Sequence, residues 1–334
     1  MTRSGAEARL DVRPLSTRIG AEIRGIDLSR PLPDSELEQL RAAIDRWRVV
    51  FARGQFLDHA AHVALGRQLG PLVYPNSYDP AVPPPATASD DVHAAWQQYP
   101  EVYRVDHRQT QARAAKAAAS STPEAHPRGN SFRGVHVDSG AAVNPPSISI
   151  LRSDVVPPYG GDTTWFDLVS AYEGLSEPIR RFVDPLWVEH RFGLEFAPYL
   201  EGRGAKYRVT HHPLVRVLPT TAEHALLVNP VLPTRVLDVS PSESEWILTF
   251  LHAQVIRPAY AIRFRWEPGD VAISDNRATA HLGPQDLADD VDRVLHLVEV
   301  DGEIPFSPDG RRSVSIEGEP KLPSPRELAA SVRA

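Results

Sequence analysis

His136 and Asp138 bring an imidazole and a carboxylate to within two residues of each other in the segment GVHVDSG. Side chains at positions i and i+2 of a β-strand point to the same face of the sheet. A strand at this point would present a nitrogen and an oxygen donor side by side, which is the spacing of a metal-ligand pair. The same spacing also occurs at exposed polar strand ends, so the rest of the chain must distinguish the two interpretations.

His281 is the candidate for a third ligand. It lies in WEPGDVAISDNRATAHLGP, where a Pro-Gly-Asp turn joins two predicted strands and an Asp-Asn-Arg turn follows the second. Strands that are distant in sequence lie side by side in a jelly roll, so His281 can reach the first two ligands. Two imidazoles and one carboxylate on octahedral Fe(II) leave three adjacent positions open, as in oxygen-activating iron enzymes.

Two other functions fit the same ligand set. Two histidines and a carboxylate also describe a catalytic zinc site, as in a zinc hydrolase, although no glutamate is obviously placed as its general base. The third alternative is a non-catalytic jelly-roll binding protein with vestigial ligands. Because the sequence contains no cysteine, zinc-thiolate sites, disulfides and thiol nucleophiles are excluded.

The elements that would position these ligands are mainly strands. Beyond Asp138 the chain is rich in short strand-like segments, separated by turns and interrupted by few helices. These segments are SISILRSDVV, DTTWFDL, WVEHRFG, HHPLVRV, HALLVNP, TRVLDV, AIRFRW, DVAISDN and RVLHLVEV. Their number and even spacing favour a β-sandwich or a jelly roll.

Two helices are predicted in the first part of the chain. One follows Asp34, a candidate N-cap, and ends before an extended segment at Val49 to Phe51. Its apolar stripe consists of Leu37, Leu40, Ile44 and Trp47. The other covers His59 to Leu69, and we expect His59 and His62, one turn apart on it, to be surface histidines.

A third helix is predicted between TRVLDV and AIRFRW. Ser240 is its N-cap, Pro241 takes the first helical position, and Glu243 completes a capping box. The apolar face of this helix is predicted to consist of Trp246, Ile247, Phe250 and Leu251.

Residues 78–130 form an insert of different composition. It contains PAVPPPATASD and QTQARAAKAAASSTPEAHPRGN around a strand-like PEVYRV, and it leads directly into GVHVDSG. We expect a single domain over residues 1–334, in which this insert is either a lid over the site or a flexible insertion without a role.

Length and charge limit the class of partner. The chain has 334 residues and a formal net charge of -7, with no basic block that would bind nucleic acid. We therefore expect a small-molecule partner. No apolar run has membrane-spanning length, and the first residues lack the apolar core of a signal peptide, so a cytoplasmic location is expected.

Seven segments resemble, in the same order, those of the TauD/TfdA family of Fe(II)- and 2-oxoglutarate-dependent dioxygenases, which includes taurine dioxygenase and alkylsulfatase relatives. They are IGAEIRGIDLSRPL, HVD, GGDTTWFDLVSAYEGLS, HHPLVR, TRVLDVSPSESEWILTFL, FRWEPGDVAISDNRATAH and RVLHLVEVDGEIP. The resemblance implies a mainly β fold with flanking helices around a double-stranded β-helix core, of the jelly-roll or cupin-like kind. A homo-oligomer is also left open, since relatives are often dimers or tetramers.

The resemblance further implies the cofactors and the site residues. His136, Asp138 and His281 would hold Fe(II), with 2-oxoglutarate and O2 as co-substrates. Arg293 would bind the distal carboxylate of 2-oxoglutarate, helped by the hydroxyl of Thr163. A guanidinium suits that role because its rigid fork matches a carboxylate and keeps its charge when buried.

The substrate is where this chain departs from the family pattern. Members that bind sulfonates or sulfates carry a second arginine four residues after the 2-oxoglutarate arginine, and here that position is Leu297. The candidate pocket residues are Phe132, Val135, Leu297 and Tyr74. They predict an apolar pocket, suited to oxidation of an unactivated C–H bond in a secondary metabolite such as a terpenoid. A sulfonate- or sulfate ester-scavenging dioxygenase is the alternative.

Overall fold

Strands provide most of the regular structure. The computed structural model describes residues 9–73, 89–108, 134–192, 208–232, 234–318 and 321–322. In chain order its strands are β1 (Asp11–Pro14), β2 (Ala21–Arg24), β3 (Val49–Ala52), β4 (Leu72–Val73), β5 (Tyr103–Asp106), β6 (Ile148–Val155), β7 (Thr163–Asp167), β8 (Trp187–Phe192), β9 (Arg208–Pro213), β10 (Val215–Val217), β11 (His224–Leu226), β12 (Thr234–Val236), β13 (Ala261–Phe264), β14 (Val271–Asp275), β15 (Thr279–Leu282), β16 (Val294–Val300) and β17 (Val314–Gly318). The helices are α1 (Asp34–Trp47), α2 (His59–Leu69), α3 (Asp90–Gln98), α4 (Leu168–Glu173), α5 (Glu177–Val183) and α6 (Pro241–Val255), and a short 3-10 helix covers Pro258–Tyr260.

The strands form one large sheet and several smaller ones. The large sheet has eight strands in the order β1-β2-β3-β14-β6-β16-β4, with β5 also paired to β16. Smaller sheets have the orders β13-β7-β15 and β12-β8-β9-β17, and β10 pairs with β11. Several neighbours in these sheets, such as β3 with β14, β6 with β16 and β13 with β7, are distant in sequence, as the jelly-roll prediction requires.

The large sheet and the sheet β13-β7-β15 enclose an apolar inner layer. Its members are Ile19, Val49, Phe51, Leu151, Trp165, Phe264, Trp266, Ala272, Leu295 and Leu297. Phe51 of the large sheet stacks on Phe264 of the small sheet, with ring centroids 4.0 Å apart. Because full burial of one large apolar side chain contributes about 1.5–3 kcal/mol, this layer fixes the spacing of the two sheets.

Helices α1 and α2 cover the opposite, outer face of the large sheet. Leu40 and Ile44 of α1 and Val63 of α2 share a buried cluster with Val298 and Val300 of β16. Helix α1 begins at Asp34 itself, and Pro33 occupies the N-cap position without a side-chain hydrogen bond. The predicted N-cap at Asp34 is therefore wrong by one residue.

Helix α6 has the predicted capping box but a different buried face. The side chain of Ser240 accepts a hydrogen bond from the backbone N–H of Glu243, and the Glu243 side chain accepts one from the backbone of Ser240. Ile247 and Leu251 are buried as expected, whereas Trp246 is 61% exposed and Phe250 is 40% exposed. The buried stripe also runs through Ser244, Leu248 and Val255, so the two aromatic rings fall on its solvent side.

The predicted insert is described only in part. Residues 89–108 form α3 and β5, and β5 pairs with β16 from Val294 to Leu297. The rest of the insert, and with it the expected lid, lies outside the described residues. None of the helices in the described part of the chain combines the length and hydropathy needed to cross a membrane.

Helix α2 has the predicted bounds, but His62 is not a surface residue. Its side chain is fully buried against the large sheet, and its Nε2 lies 3.0 Å from the carbonyl oxygen of Ile150. The prediction failed because His62 lies on the helix face that carries Val63 and Leu65 toward the sheet. Burial and the nearby charge of Arg152 lower the pKa of His62 to about 3.

We predict that acid destabilises this fold below pH 6.5. Burial lowers the pKa of His190 and His252 to about 4 and that of His296 to about 2, in addition to that of His62. The unfolded chain binds protons at these histidines near pH 6.5 and the folded chain does not, so the free energy of unfolding falls as the pH drops from 6.5 toward 4. Each full unit of pKa difference corresponds to about 1.4 kcal/mol.

Urea denaturation at pH 7.5, 6.5, 5.5 and 4.5 measures this dependence. A His62→Gln variant should lose stability less steeply over the same range, since it has one fewer buried histidine to protonate. Equal unfolding free energies at pH 6.5 and 4.5 would contradict the prediction.

Candidate metal centre

His136 and His281 are held together by their own backbones. His281 lies on β15, and the N–H of each histidine donates to the carbonyl oxygen of the other, at 2.9 and 2.8 Å. The segment around His136 forms only this isolated antiparallel bridge, so the predicted strand at His136 to Asp138 is wrong. The bridge still places the two imidazole centroids 4.2 Å apart.

Asp138 completes a compact group of three donors. One ligand atom from each of His136, Asp138 and His281 lies within 4.8 Å of the other two. Asp138 Oδ1 is 3.5 Å from His136 Nε2 and 3.8 Å from His281 Nε2. The structure therefore brings together the three residues that the sequence singled out.

Neighbouring groups turn two of the donor atoms toward a common point. His136 Nδ1 donates to the carbonyl oxygen of Gly134 at 2.8 Å, which leaves Nε2 as the ring nitrogen that faces Asp138. The Ser149 hydroxyl donates to Asp138 Oδ2 at 2.9 Å, which leaves Oδ1 facing the imidazoles. Such outer partners fix the tautomer and the orientation of metal ligands.

Asn276 fastens the segment around Asp138 to the large sheet. Its Oδ1 accepts from the backbone N–H of Asp138 at 3.0 Å, and its Nδ2 donates to the carbonyl oxygen of Asp138 at 3.2 Å. Nδ2 also donates to the carbonyl oxygen of Pro146 at 3.0 Å. Asn276 follows β14 directly, so the turn that precedes His281 also positions Asp138.

The protonation states of His136, Asp138 and His281 favour the binding of a cation. Burial opposes ionisation of Asp138, but the charge of His281 and the hydrogen bond from His136 outweigh it and hold the pKa of Asp138 below its usual range. Burial lowers the pKa of His281 to about 4, so this imidazole is neutral at pH 7. Burial also acts against protonation of His136, but its hydrogen bond with Asp138 raises its pKa. A metal ion would displace that proton. An ionised carboxylate and two nitrogen donors fit a ferrous ion.

Arg293 and Thr163 form a second polar group within the fold. Arg293 is 4% exposed, and its Nε donates to the carbonyl oxygen of Gly161 at 2.8 Å while its Nη2 donates to Thr163 Oγ1 at 3.0 Å. Thr163 Oγ1 also accepts from Trp266 Nε1 at 3.0 Å. A hydroxyl that accepts two N–H groups keeps its own proton to donate. Burial lowers the pKa of Arg293 to about 10, so the guanidinium remains charged at pH 7.

Strand β7 connects this pair with the three donors. Trp165 is the cross-strand partner of His281, and their rings lie 6.3 Å apart. Thr163 is two residues before Trp165 and points to the same face, which sets it about 7 Å farther along the strand. Thr163, which holds Arg293, and His281 therefore lie on the same side of the sheet β13-β7-β15.

The candidate pocket residues do not all come together. Leu297 is buried in the inner layer beside Trp165. Val135 belongs to another buried cluster, with Phe166 and Ala280, so the structure does not bring it together with Leu297. Phe132 and Tyr74 lie outside the described residues.

Glu299 is a buried acid that the sequence analysis missed. It is 1% exposed, and neither carboxyl oxygen has a hydrogen-bond partner among the described residues. Burial raises its pKa well above the usual value, and the charge of Asp138 adds to this effect. Alternation along RVLHLVEV was the available signal, since it puts Glu299 on the same strand face as Leu297.

Comparisons with known proteins agree with this geometry. Residues 11–298 match the family model described as taurine catabolism dioxygenase TauD, TfdA family. The chain is 34% identical over 317 residues to an alpha-ketoglutarate-dependent sulfate ester dioxygenase of Pseudomonas putida, covering 91% of this chain and 93% of the relative. It is 30% identical over 335 residues to an alkylsulfatase of Acinetobacter baylyi, covering 96% and 92%.

A solved structure described as a taurine dioxygenase from Burkholderia xenovorans is also similar. It superposes with a TM-score of 0.74 at 42% identity, covering 93% of this chain and 97% of that chain. This similarity, together with the strand order of the large sheet, confirms the predicted mainly β fold with a jelly-roll core.

Proposed function

Because the chain belongs to the TauD/TfdA family and is an Fe(II)- and 2-oxoglutarate-dependent dioxygenase, we propose specific roles for its residues. His136, Asp138 and His281 hold the ferrous ion, and Arg293 with Thr163 binds the distal carboxylate of 2-oxoglutarate. The observation that carries the proposal is the convergence of three donor atoms within 4.8 Å, together with the buried, charged Arg293 that Thr163 holds on the same side of the sheet as His281. Catalytic zinc would leave the Arg293–Thr163 pair without a role.

Each residue has a defined task in this reaction. The ferrous ion, with O2 and 2-oxoglutarate, supplies the oxidising power when bound. The Arg293 guanidinium and the Thr163 proton orient one end of 2-oxoglutarate, and the apolar inner layer around Trp165 keeps water away from the reacting groups. Gly134 and Ser149 hold the ligand atoms in position.

The substrate in this proposal is a largely apolar small molecule, such as a terpenoid or another secondary metabolite, oxidised at an unactivated C–H bond. Support comes from β16, where Leu295 and Leu297 follow Arg293 on the inner face and contribute apolar surface only. An anionic head group needs charge-assisted hydrogen bonds, and leucine offers none. The names of the P. putida and A. baylyi relatives favour the second candidate, a sulfate ester.

Anaerobic addition of Fe(II) and 2-oxoglutarate to the metal-free protein tests the proposed site. A weak visible charge-transfer band should appear with Fe(II) and not with Zn(II), because only the ferrous ion can transfer charge to the bound keto acid. The His136→Ala variant should lose the band, whereas His93→Ala, on α3, should keep it. If no band forms in the wild-type protein under saturating Fe(II), the proposed function is wrong.

Succinate release in air then separates the two substrate candidates. A panel of apolar acids and lactones is compared with alkyl sulfates of matched chain length, each against the rate without added substrate. Stimulation by the apolar compounds alone supports the first candidate, and stimulation by the sulfates alone supports the second.

A further inference from the structure

The segment that carries Asp138, residues 137–142, is buried but belongs to no strand. Backbone groups that are buried outside a sheet must find hydrogen-bond partners elsewhere. Side chains from β8, β9 and the residues that follow β11 supply several of these partners. The position of Asp138 therefore depends on residues that are far from it in sequence and are not metal ligands.

The carbonyl oxygen of Gly140 lies between two imidazoles. His190 Nδ1, on β8, is 2.8 Å from it, and His212 Nε2, on β9, is 3.1 Å from it. Both side chains are fully buried, and their ring centroids are 5.1 Å apart. Because a carbonyl oxygen only accepts, each of these two nitrogens donates its N–H. The Ser313 hydroxyl then donates to His212 Nδ1 at 2.7 Å, which fixes that tautomer.

The neighbouring carbonyl groups are held in the same way. Thr210 Oγ1, on β9, donates to the carbonyl oxygen of Ala141 at 2.7 Å. Asn229 Nδ2 donates to the carbonyl oxygen of Val137 at 2.9 Å. A Cβ atom on Gly140 would lie only 2.5 Å from Asn229 Nδ2, so the segment fits closely against these side chains.

A tight turn transmits the position of Gly140 to Asp138. The Ala142 N–H donates to the carbonyl oxygen of Ser139 at 2.9 Å, and Ser139 has a φ of 51°, in the left-handed region that serine seldom adopts. Gly140 lies inside this turn, two residues after Asp138. A shift of the turn would therefore move the carboxylate of Asp138 relative to the two imidazoles of the metal centre.

Packing alone does not account for His190 and His212. His190 is in register with Thr210, and His212 is two residues farther along β9, so all three point to the same face of the sheet. Burial lowers the pKa of both histidines, and both are neutral at pH 7. Burying even a neutral imidazole costs free energy that an apolar side chain would not. One donor would satisfy the carbonyl oxygen of Gly140, whereas two also fix its direction.

We propose that His190 and His212 are positioning residues of the metal centre, which together fix the carbonyl oxygen of Gly140 and, through the turn, the carboxylate of Asp138. Both act through the backbone, and neither is a metal ligand. The inference rests on the proposed function. It gives a role to the segment HHPLVR, which contains His212 and which the proposed function leaves unused.

Four substitutions separate hydrogen bonding from packing. His190→Asn places an amide nitrogen where Nδ1 was, whereas His190→Leu has nearly the shape of the asparagine variant but no donor. His212→Gln and His212→Met form the corresponding pair at Nε2. Anaerobic titration of Fe(II) into each protein at saturating 2-oxoglutarate, followed by the charge-transfer band, measures the affinity for the metal.

The leucine and methionine variants should bind Fe(II) about 10-fold or more weakly than the wild type, as expected for the loss of an outer partner of a metal ligand. The asparagine and glutamine variants should recover most of this loss. The control is His211→Met, because His211 is adjacent on the opposite face of β9, where it contacts Glu189. It should bind Fe(II) as the wild type does.

Urea denaturation of the metal-free proteins distinguishes positioning from a purely structural role. A structural role predicts that His190→Leu and His212→Met lower the free energy of unfolding and leave the affinity of the folded protein for Fe(II) unchanged. Positioning predicts that the affinity falls whatever the change in stability.

Nuclear magnetic resonance of the wild type, with histidine labelled with nitrogen-15, does not depend on whether a leucine or methionine variant folds. The N–H resonances of His190 and His212 should shift when Zn(II), a diamagnetic probe, fills the site. The N–H resonance of His62, which faces α2 on the outer side of the large sheet, should not shift. His190→Asn and His212→Gln assign the two signals.

Unchanged Fe(II) affinity in His190→Leu and His212→Met, or N–H resonances of the two histidines that do not respond to Zn(II), would overturn the proposal. The charge-transfer band of the wild type is recorded first. A missing band there refutes the proposed function. A normal band, with unchanged affinity in the two variants, refutes only the role of His190 and His212.

Discussion

Asp138→Ala should reduce 2-oxoglutarate turnover by about 1,000-fold or more, mainly through loss of the iron. Asp138 is the anionic member of the group of three, and its ionised Oδ1 lies 3.5 and 3.8 Å from the two imidazole nitrogens. Without it, two histidines alone would have to hold the ferrous ion. The measurements are iron content after gel filtration, the anaerobic charge-transfer band and succinate release.

Ser149→Ala provides the graded comparison for this prediction. It removes only the hydrogen bond to Asp138 Oδ2, and loss of such an outer partner costs about 10–100-fold in metal affinity or activity.

The Asp138→Ala protein should keep its far-ultraviolet circular dichroism, because its backbone contacts with Asn276 do not involve the side chain of Asp138. Stoichiometric iron and full turnover in Asp138→Ala would show that the metal is held elsewhere.

Arg293→Lys should raise the KM for 2-oxoglutarate by about 100-fold, the equivalent of roughly 3 kcal/mol. The Arg293 guanidinium donates hydrogen bonds to Gly161 through Nε and to Thr163 through Nη2. These two bonds fix the orientation of the guanidinium plane. A lysine ammonium is a point charge and cannot reproduce the planar fork that a carboxylate accepts. Initial rates at varied 2-oxoglutarate, and titration of the charge-transfer band, measure the effect.

Arg263→Lys is the control for Arg293→Lys. Arg263 is an exposed arginine on β13, the strand that pairs with β7, and it forms ion pairs with Asp162 and Asp286. Its replacement should leave the KM for 2-oxoglutarate unchanged. If the KM rose equally in both variants, the effect would come from the general charge of this region. Arg293 would then not be the anchor for 2-oxoglutarate.

The sequence predicted the residues of the site better than their surroundings. The spacing of His136 and Asp138 and the turn before His281 were sufficient to propose a shared metal, and the structure brings the three together. The geometric reason given for the first pair was wrong, since a bridge to His281 and the hydrogen bonds from Asn276, rather than a strand, align them. These contacts join segments that are distant in sequence, so no local pattern could reveal them.

Burial on both faces of β16 explains what the sequence analysis missed. Every residue from Val294 to Val300 is buried, so hydrophobic alternation gives no indication of which face is the inner one. Glu299 and His296 lie on opposite faces of that strand, and only the packing of α2 distinguishes them. On α6, the buried stripe is rotated slightly from the predicted one, and this difference exposes Trp246 and Phe250. Helical periodicity predicts the spacing of the apolar residues better than the direction in which they face.

The long sequence separation between Asp138 and Asn276, which positions it, bears on when the proposed metal site can form during synthesis. The two residues are 138 positions apart, and His281 is made later still. A growing polypeptide therefore leaves the ribosome with its first two ligands long before their partners exist. The proposed site is complete only after translation has passed β15, so a chain truncated before that point should emerge as an apoprotein, whatever the supply of iron in the cell.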